Sequence, residues 1–95
     1  MSDRAIIREW RNPYDPTDTQ LEAFLPDSDA NFGHIVSYAH IGQHSEANAD
    51  YYLNCTHAVD YTRADVLELI GELRSIGYDV RLTKRLNRPF GGWAR

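Results

Sequence analysis

The chain has a single cysteine among 95 residues, so an internal disulfide is excluded and with it the disulfide-stapled scaffolds of small secreted domains. Cys55 is expected to be a reduced thiol. No apolar run approaches the roughly 20 residues that span a bilayer, and the opening "MSDRAIIREW" lacks the apolar stretch of a secretion signal. A cytoplasmic protein without membrane contact is the expectation. The chain also lacks a phosphate-cradling glycine loop, a G-x-S-x-G nucleophile turn and an H-E-x-x-H metal helix. Its acidic residues are not spaced as the D-x-D-x-D-G of a calcium loop. These gaps argue against an enzyme and leave no cofactor to expect.

Charge of one sign is missing locally. Residues 12 to 30 contain Asp15, Asp18, Glu22, Asp27 and Asp29 and no cation, whereas residues 81 to 95 contain Arg81, Lys84, Arg85, Arg88 and Arg95 and no acid. The formal net charge of −4 opposes nucleic-acid binding over the whole surface. The segregation instead singles out the two charged segments. One domain is expected over residues 1 to 95, with an acidic loop and short helix at 12 to 30 and a basic aromatic tail at 87 to 95.

What is present fits a folded globule: 42% of residues are hydrophobic and 25% charged, too apolar for a disordered chain. The stretch "RAIIREW" reads as a short strand, broken by the prolines of "NPYDP". Thr17 and Gln20 match a capping box, and Leu21, Phe24 and Leu25 follow at helical spacing, which predicts a helix of two turns ended by Pro26. A second, longer helix is predicted over 63 to 76, where Val66, Leu69, Ile70, Leu73 and Ile76 form a continuous apolar stripe. Thr62 is its expected cap and Gly77 its stop. Gly71 lies inside it, at a cost of about 1 kcal/mol against alanine, and suggests a flank packed closely on a sheet. "YDVRLTKRL" alternates as a strand.

These elements give an α+β fold, β-α-β-β-α-β, with a mostly antiparallel sheet of about four strands and the 63 to 76 helix on one face. A strand at 51 to 59 would run parallel to the strand after the helix, through a right-handed crossover.

All four histidines and the cysteine fall between residues 34 and 57. If residues 33 to 41 pair with 51 to 59, matching apolar faces sets Ile41 against Leu53, Ala39 against Cys55, Ser37 against His57 and Ile35 against Val59. Cys55 and His57 then face the helix, while Tyr38, His40, Tyr52 and Asn54 share the outer face with His34 and Val36. A zinc site at His40, Cys55 and His57 needs its ligands to converge within about 2.0 to 2.3 Å of one point, and this register divides them. Cys55 and His57, two apart on a strand, diverge by about 7 Å, too far for a catalytic dyad.

The leading functional expectation is a non-enzymatic protein-binding module, of the inhibitor or immunity and anti-defence kind, using Tyr38, His40, Tyr52 and Asn54 to occlude another protein; a homo-oligomer would pair the basic tail of one chain with the acidic 15 to 29 segment of another. One alternative is nucleic-acid binding through Lys84, Arg85, Arg88 and Trp93, cations interleaved with an aromatic. The other is a small metal-binding protein.

Overall fold

A computed structural model describes residues 3 to 29, 34 to 39, 42 to 47 and 50 to 84. The α+β class holds, with a six-stranded, mostly antiparallel sheet and one α-helix. The chain runs β1 (Asp3–Asn12), β2 (Asp15–Asp29), β3 (Ile35–Ala39), β4 (Gln43–Ala47), a π-helical turn (Tyr51–Cys55), β5 (Thr56–Ala58), α1 (Ala64–Ser75) and β6 (Val80–Leu82). The spatial order is β4-β3-β2-β1-β5, and β6 also pairs with β1. Four strands in a β-α-β-β-α-β order therefore give way, among the described residues, to six strands and one α-helix. No helix among the described residues is long and apolar enough to cross a membrane.

The expected helix at 17 to 25 is instead the middle of β2. Leu21, Ala23 and Leu25 point to the α1 side, and Phe24 points to the opposite side, so every residue from Ala23 to Pro26 is buried. A strand covered on both faces shows no polar alternation, and its apolar run is open to a helical reading. Thr17 caps nothing: its N–H and Oγ1 both donate to Asp15 Oδ1, at 3.0 and 2.7 Å, inside an irregularity where Arg11 pairs with Thr19 but Asn12 pairs with Asp15. Pro26 has no N–H for the ladder and falls where the register against β3 shifts, between Leu25 and Asp29.

The hairpin partner of β3 is β4, not residues 51 to 59. Ile35 pairs with Ala47, Ser37 with Ser45 and Ala39 with Gln43. Gly42, at φ +91°, supplies the left-handed residue of the short connection. Closing so short a loop loses less chain entropy than reaching past it. Residues 43 to 46 are polar because β4 is an exposed sheet edge.

Residues 51 to 59 divide between the π turn and β5, which runs antiparallel to β1, with Arg8 opposite Ala58 and Trp10 opposite Thr56. β6 lies parallel to β1 farther along the same edge, with Asp3 opposite Val80 and Ala5 opposite Leu82. β5 and β6 thus run in opposite senses, and the expected parallel crossover between them does not form.

Both sheet faces are covered. On one, α1 seats Val66, Leu69, Ile70 and Leu73 against Ala5, Ile7, Leu21, Ala23, Leu25 and Tyr38. On the other, the π turn lays Tyr52 over Ile6, Phe24, Ile35 and Ala47. The helix begins at Arg63 without a side-chain cap, because Thr62 is engaged with Asp60. It ends as expected at Gly77, φ +111°, where the Tyr78 N–H donates to the Leu73 carbonyl at 3.1 Å.

Gly71 is exposed, and a Cβ there would meet nothing within 4 Å, so the sheet-packed flank is corrected to a solvent-facing one. Gly71→Ala is expected to stabilise the domain by about 0.5 to 1 kcal/mol, through helix propensity and a less flexible unfolded chain. A urea titration reads this directly, and a lowered midpoint would contradict the open environment.

Candidate functional site

The four residues expected on one outer face do not come together. Tyr38 lies on the α1 side, 4% exposed, with its ring edge-on to His44 at 4.9 Å. Tyr52 lies on the other side, 5% exposed, edge-on to Phe24 at 5.0 Å. Only Asn54 is exposed, its Nδ2 donating to Asp50 Oδ1 at 2.8 Å. His40 is outside the described residues. The separation follows from pairing: Tyr38 sits on a strand next to β2, whereas Tyr52 belongs to a turn that crosses the sheet.

Among the described residues no group of three or more His, Cys, Asp or Glu side chains is placed to hold a metal ion. Ser37, expected opposite His57, pairs with Ser45 instead. Of the nucleic-acid candidates, Lys84 is exposed with its Nζ 4.9 Å over the Tyr61 ring, and Arg85, Arg88 and Trp93 lie outside the described residues.

What the fold does assemble is a groove of about 340 Å³ between two segments distant in sequence, Trp10 to Pro13 on the hairpin and Asn54, Cys55 and His57 beyond the sheet centre. The Trp10 to Thr56 pairing brings them side by side. Arg8 fixes the second wall: its Nε donates to Thr56 Oγ1 at 2.8 Å, its Nη2 donates to the Thr56 carbonyl at 2.7 Å, and its guanidinium lies 4.5 Å from the Tyr52 ring centroid. Thr56 Oγ1 in turn donates to the Tyr52 carbonyl at 2.6 Å, closing the π turn on itself. The first wall is fixed by Asn12, whose Oδ1 accepts from the Tyr14 N–H at 2.8 Å and whose Nδ2 donates to Asp18 at 3.0 Å.

Beside the groove, the hairpin end stands clear of the sheet. β3 pairs with β2 only from Glu22 onward, and β5 pairs with β1 only as far as Trp10. At the tip, Tyr14 is 94% exposed, the most exposed of the large hydrophobic side chains described.

Sequence reasoning also passed over a buried charge. Glu9 follows Ala5 and Ile7 on the α1 side of β1 and is 6% exposed. It accepts from Arg11 Nε at 2.9 Å and from Arg63 Nη2 at 2.9 Å, and Arg63 also meets Asp65 at 2.6 Å. Burial pushes the Glu9 carboxyl up, but the hydrogen bonds from Arg11 and Arg63 together outweigh it and hold the group below its ordinary value. The strand alternation carried the signal, since an acid in register with Ala5 and Ile7 must find cations. The network ties the start of α1 to the hairpin and holds Arg11 at the groove wall.

An indole, a proline ring, two amides, an imidazole, a thiol and the Arg11 guanidinium, paired with Glu9, make a lining of mixed character. Such a surface can take up a partner's side chains through apolar contact and hydrogen bonds. Comparison with family models, with curated proteins and with solved structures finds no match for this chain.

Proposed function

We propose that this chain is a non-enzymatic protein-binding module that occludes a partner's surface, in the manner of an inhibitor or an immunity protein, through the tip of the β1–β2 hairpin and the groove beneath it. The observation that carries the reading is the near-complete exposure of Tyr14 at the end of a projecting hairpin. Tyrosine offers large contact area with few rotatable bonds, and such side chains dominate binding energy when they enter a partner's pocket. The turn around Tyr14 is held by Asn12 and Asp15, so little ordering is left to be lost on association. The groove then receives what the partner presents beside the anchor, with Trp10 as its main apolar surface. This moves the proposed contact from the sheet face to the hairpin tip and retains Asn54 of the residues first expected.

Affinity capture with wild-type bait and with Tyr14→Ala, followed by titration of the captured protein, tests the reading. The substitution is expected to weaken binding about 30-fold or more, the loss of an interface anchor of at least about 2 kcal/mol. Thermal stability should stay within about 0.5 kcal/mol, since the side chain touches little of its own fold. Equal affinity of the two baits would rule out the hairpin tip.

A further inference from the structure

We propose that a second groove, on the sheet face beside Tyr51, is a binding site for a guanidinium group presented by an arginine side chain of a partner protein. The groove has a volume of about 340 Å³ and is lined by Glu22, Ser37, Ala39, Gln43, Ser45, Glu46 and Tyr51. Its floor comes from cross-strand pairing: Glu22, Ala39 and Gln43 lie in one row across β2, β3 and β4, and Ser37 and Ser45 lie in the next. The π turn covers the adjacent rows with Tyr52 and brings Tyr51 to the margin.

Three features of the floor suit a cation with several donors. Glu22 is partly buried, and the hydrogen bond described to it comes from the Tyr51 hydroxyl. A carboxylate has about four acceptor positions, so most of its capacity stays unused. Ser37 is 2% exposed and lines the groove, yet its hydroxyl makes no hydrogen bond among the described residues. Facing the groove, that hydroxyl keeps its acceptor positions open to a bound N–H donor. None of the described lining residues is a lysine or arginine, and Arg8, opposite Glu22 on β1, directs its guanidinium to Thr56 and the Tyr52 ring instead.

The electrostatics agree with this. Burial pushes the Glu22 carboxyl above its ordinary value, and the Tyr51 hydrogen bond only partly offsets that. Burial likewise pushes the Tyr51 phenol up, with the Glu22 hydrogen bond and charge adding to it, so it remains a donor. A guanidinium, with five N–H donors in a planar fork, matches a carboxylate with a hydroxyl and an amide nearby, and its flat face fits against an aromatic ring. Its weak hydration makes partial burial less costly than for an ammonium.

The inference rests on the protein-binding reading only for the source of the arginine, and the test uses an isolated mimic so that the two can fail separately. Amide chemical shifts of Ser37, Gln43 and Ser45 are followed while N-acetylarginine N-methylamide is added to the full chain. The uncharged N-acetylcitrulline N-methylamide serves as the control. Saturable shifts are expected with the arginine probe at roughly millimolar affinity, as befits one isolated side chain. The citrulline probe should bind at least about tenfold more weakly, because a hydrogen bond to a charged group is lost.

Glu22→Gln keeps an oxygen to accept from Tyr51 and should weaken the arginine probe about tenfold. Ser37→Ala, which removes a hydroxyl bonded to nothing described, should leave stability unchanged and weaken it about threefold. Absence of saturable shifts in the wild type, equal binding of the two probes, or unchanged affinity in a folded Glu22→Gln each overturns the proposal. None of these outcomes touches the Tyr14 prediction.

Discussion

Phe24→Ala is expected to destabilise the domain by about 3 to 5 kcal/mol, as full truncation of a buried aromatic does when the cavity cannot collapse. Phe24 is 0% exposed and stands at the centre of the smaller apolar cluster, with Ile6, Ile35, Ala47 and Tyr52. Its ring meets Tyr52 edge-on at 5.0 Å and lies 6.3 Å from Tyr51. β2 holds it in place from both sides, paired with β1 at Ile6 and with β3 at Ser37, so the backbone cannot move in to fill the space. A domain of this size has a total stability of about 5 to 15 kcal/mol, so the substitution removes a large share of it. The melting temperature should fall by roughly 15 °C or more. The consequence for function is local as well: the π turn rests on Phe24 through its two tyrosines, and that turn supplies one wall of each groove. Calorimetry of the variant checks this, and a loss under about 1 kcal/mol would mean that the π-turn side is not part of the cooperative core.

Phe24 also marks where the sequence was hardest to read. Leu21, Phe24 and Leu25 have helical spacing, yet Leu21, Ala23 and Leu25 have strand spacing, and periodicity alone does not choose between them. The decision lay in β1 and β3, which flank β2 and bury both of its faces. By contrast, α1 was legible because Val66, Leu69, Ile70 and Leu73 meet the sheet on one side only and leave a polar face to solvent. β1 was legible in outline, and Glu9 was missed within it because its partners Arg11 and Arg63 are brought together only by the fold. The histidine and cysteine segment failed for a related reason. Tyr51 and Tyr52 are adjacent, and strand alternation would send them to opposite faces. The π turn brings both to the same side, against Phe24. The groove residues Trp10, Asn54, Cys55 and His57 had no common sequence signal. Their proximity depends on the pairing of β5 with β1, across more than forty residues of chain.

Tyr61→Phe is expected to cost about 1 to 3 kcal/mol, although it removes a single oxygen. β1 is paired at Asp3 to Ala5 by β6 and at Arg8 to Trp10 by β5, and neither three-residue strand reaches the space between. The Tyr61 hydroxyl fills that gap. It accepts from the Ile7 N–H at 3.0 Å and donates to the Thr83 carbonyl at 2.8 Å, while the Thr83 N–H donates to the Ala5 carbonyl at 3.0 Å. One phenol thus takes the place of a strand residue and joins β5 and β6 into one continuous edge. Burial pushes the Tyr61 phenol up, outweighing the opposing hydrogen bond from Ile7, so it keeps its proton and its donor role across the ordinary pH range. Phenylalanine keeps the ring and its position under Lys84, so the variant isolates the hydroxyl. It leaves the Ile7 N–H, on a residue 1% exposed, without an acceptor and withdraws a donor from Thr83. Faster hydrogen exchange at Ile7 should accompany the lower stability, extending into Thr56 to Ala58, since β5 is then held mainly by its short pairing with β1 and by Arg8. Loosening β5 moves Cys55 and His57 relative to Trp10. The same variant should therefore weaken partner binding at the hairpin groove while leaving the arginine probe at Glu22 unaffected. Unchanged protection at Ile7 together with unchanged stability would show that solvent replaces the phenol at this edge.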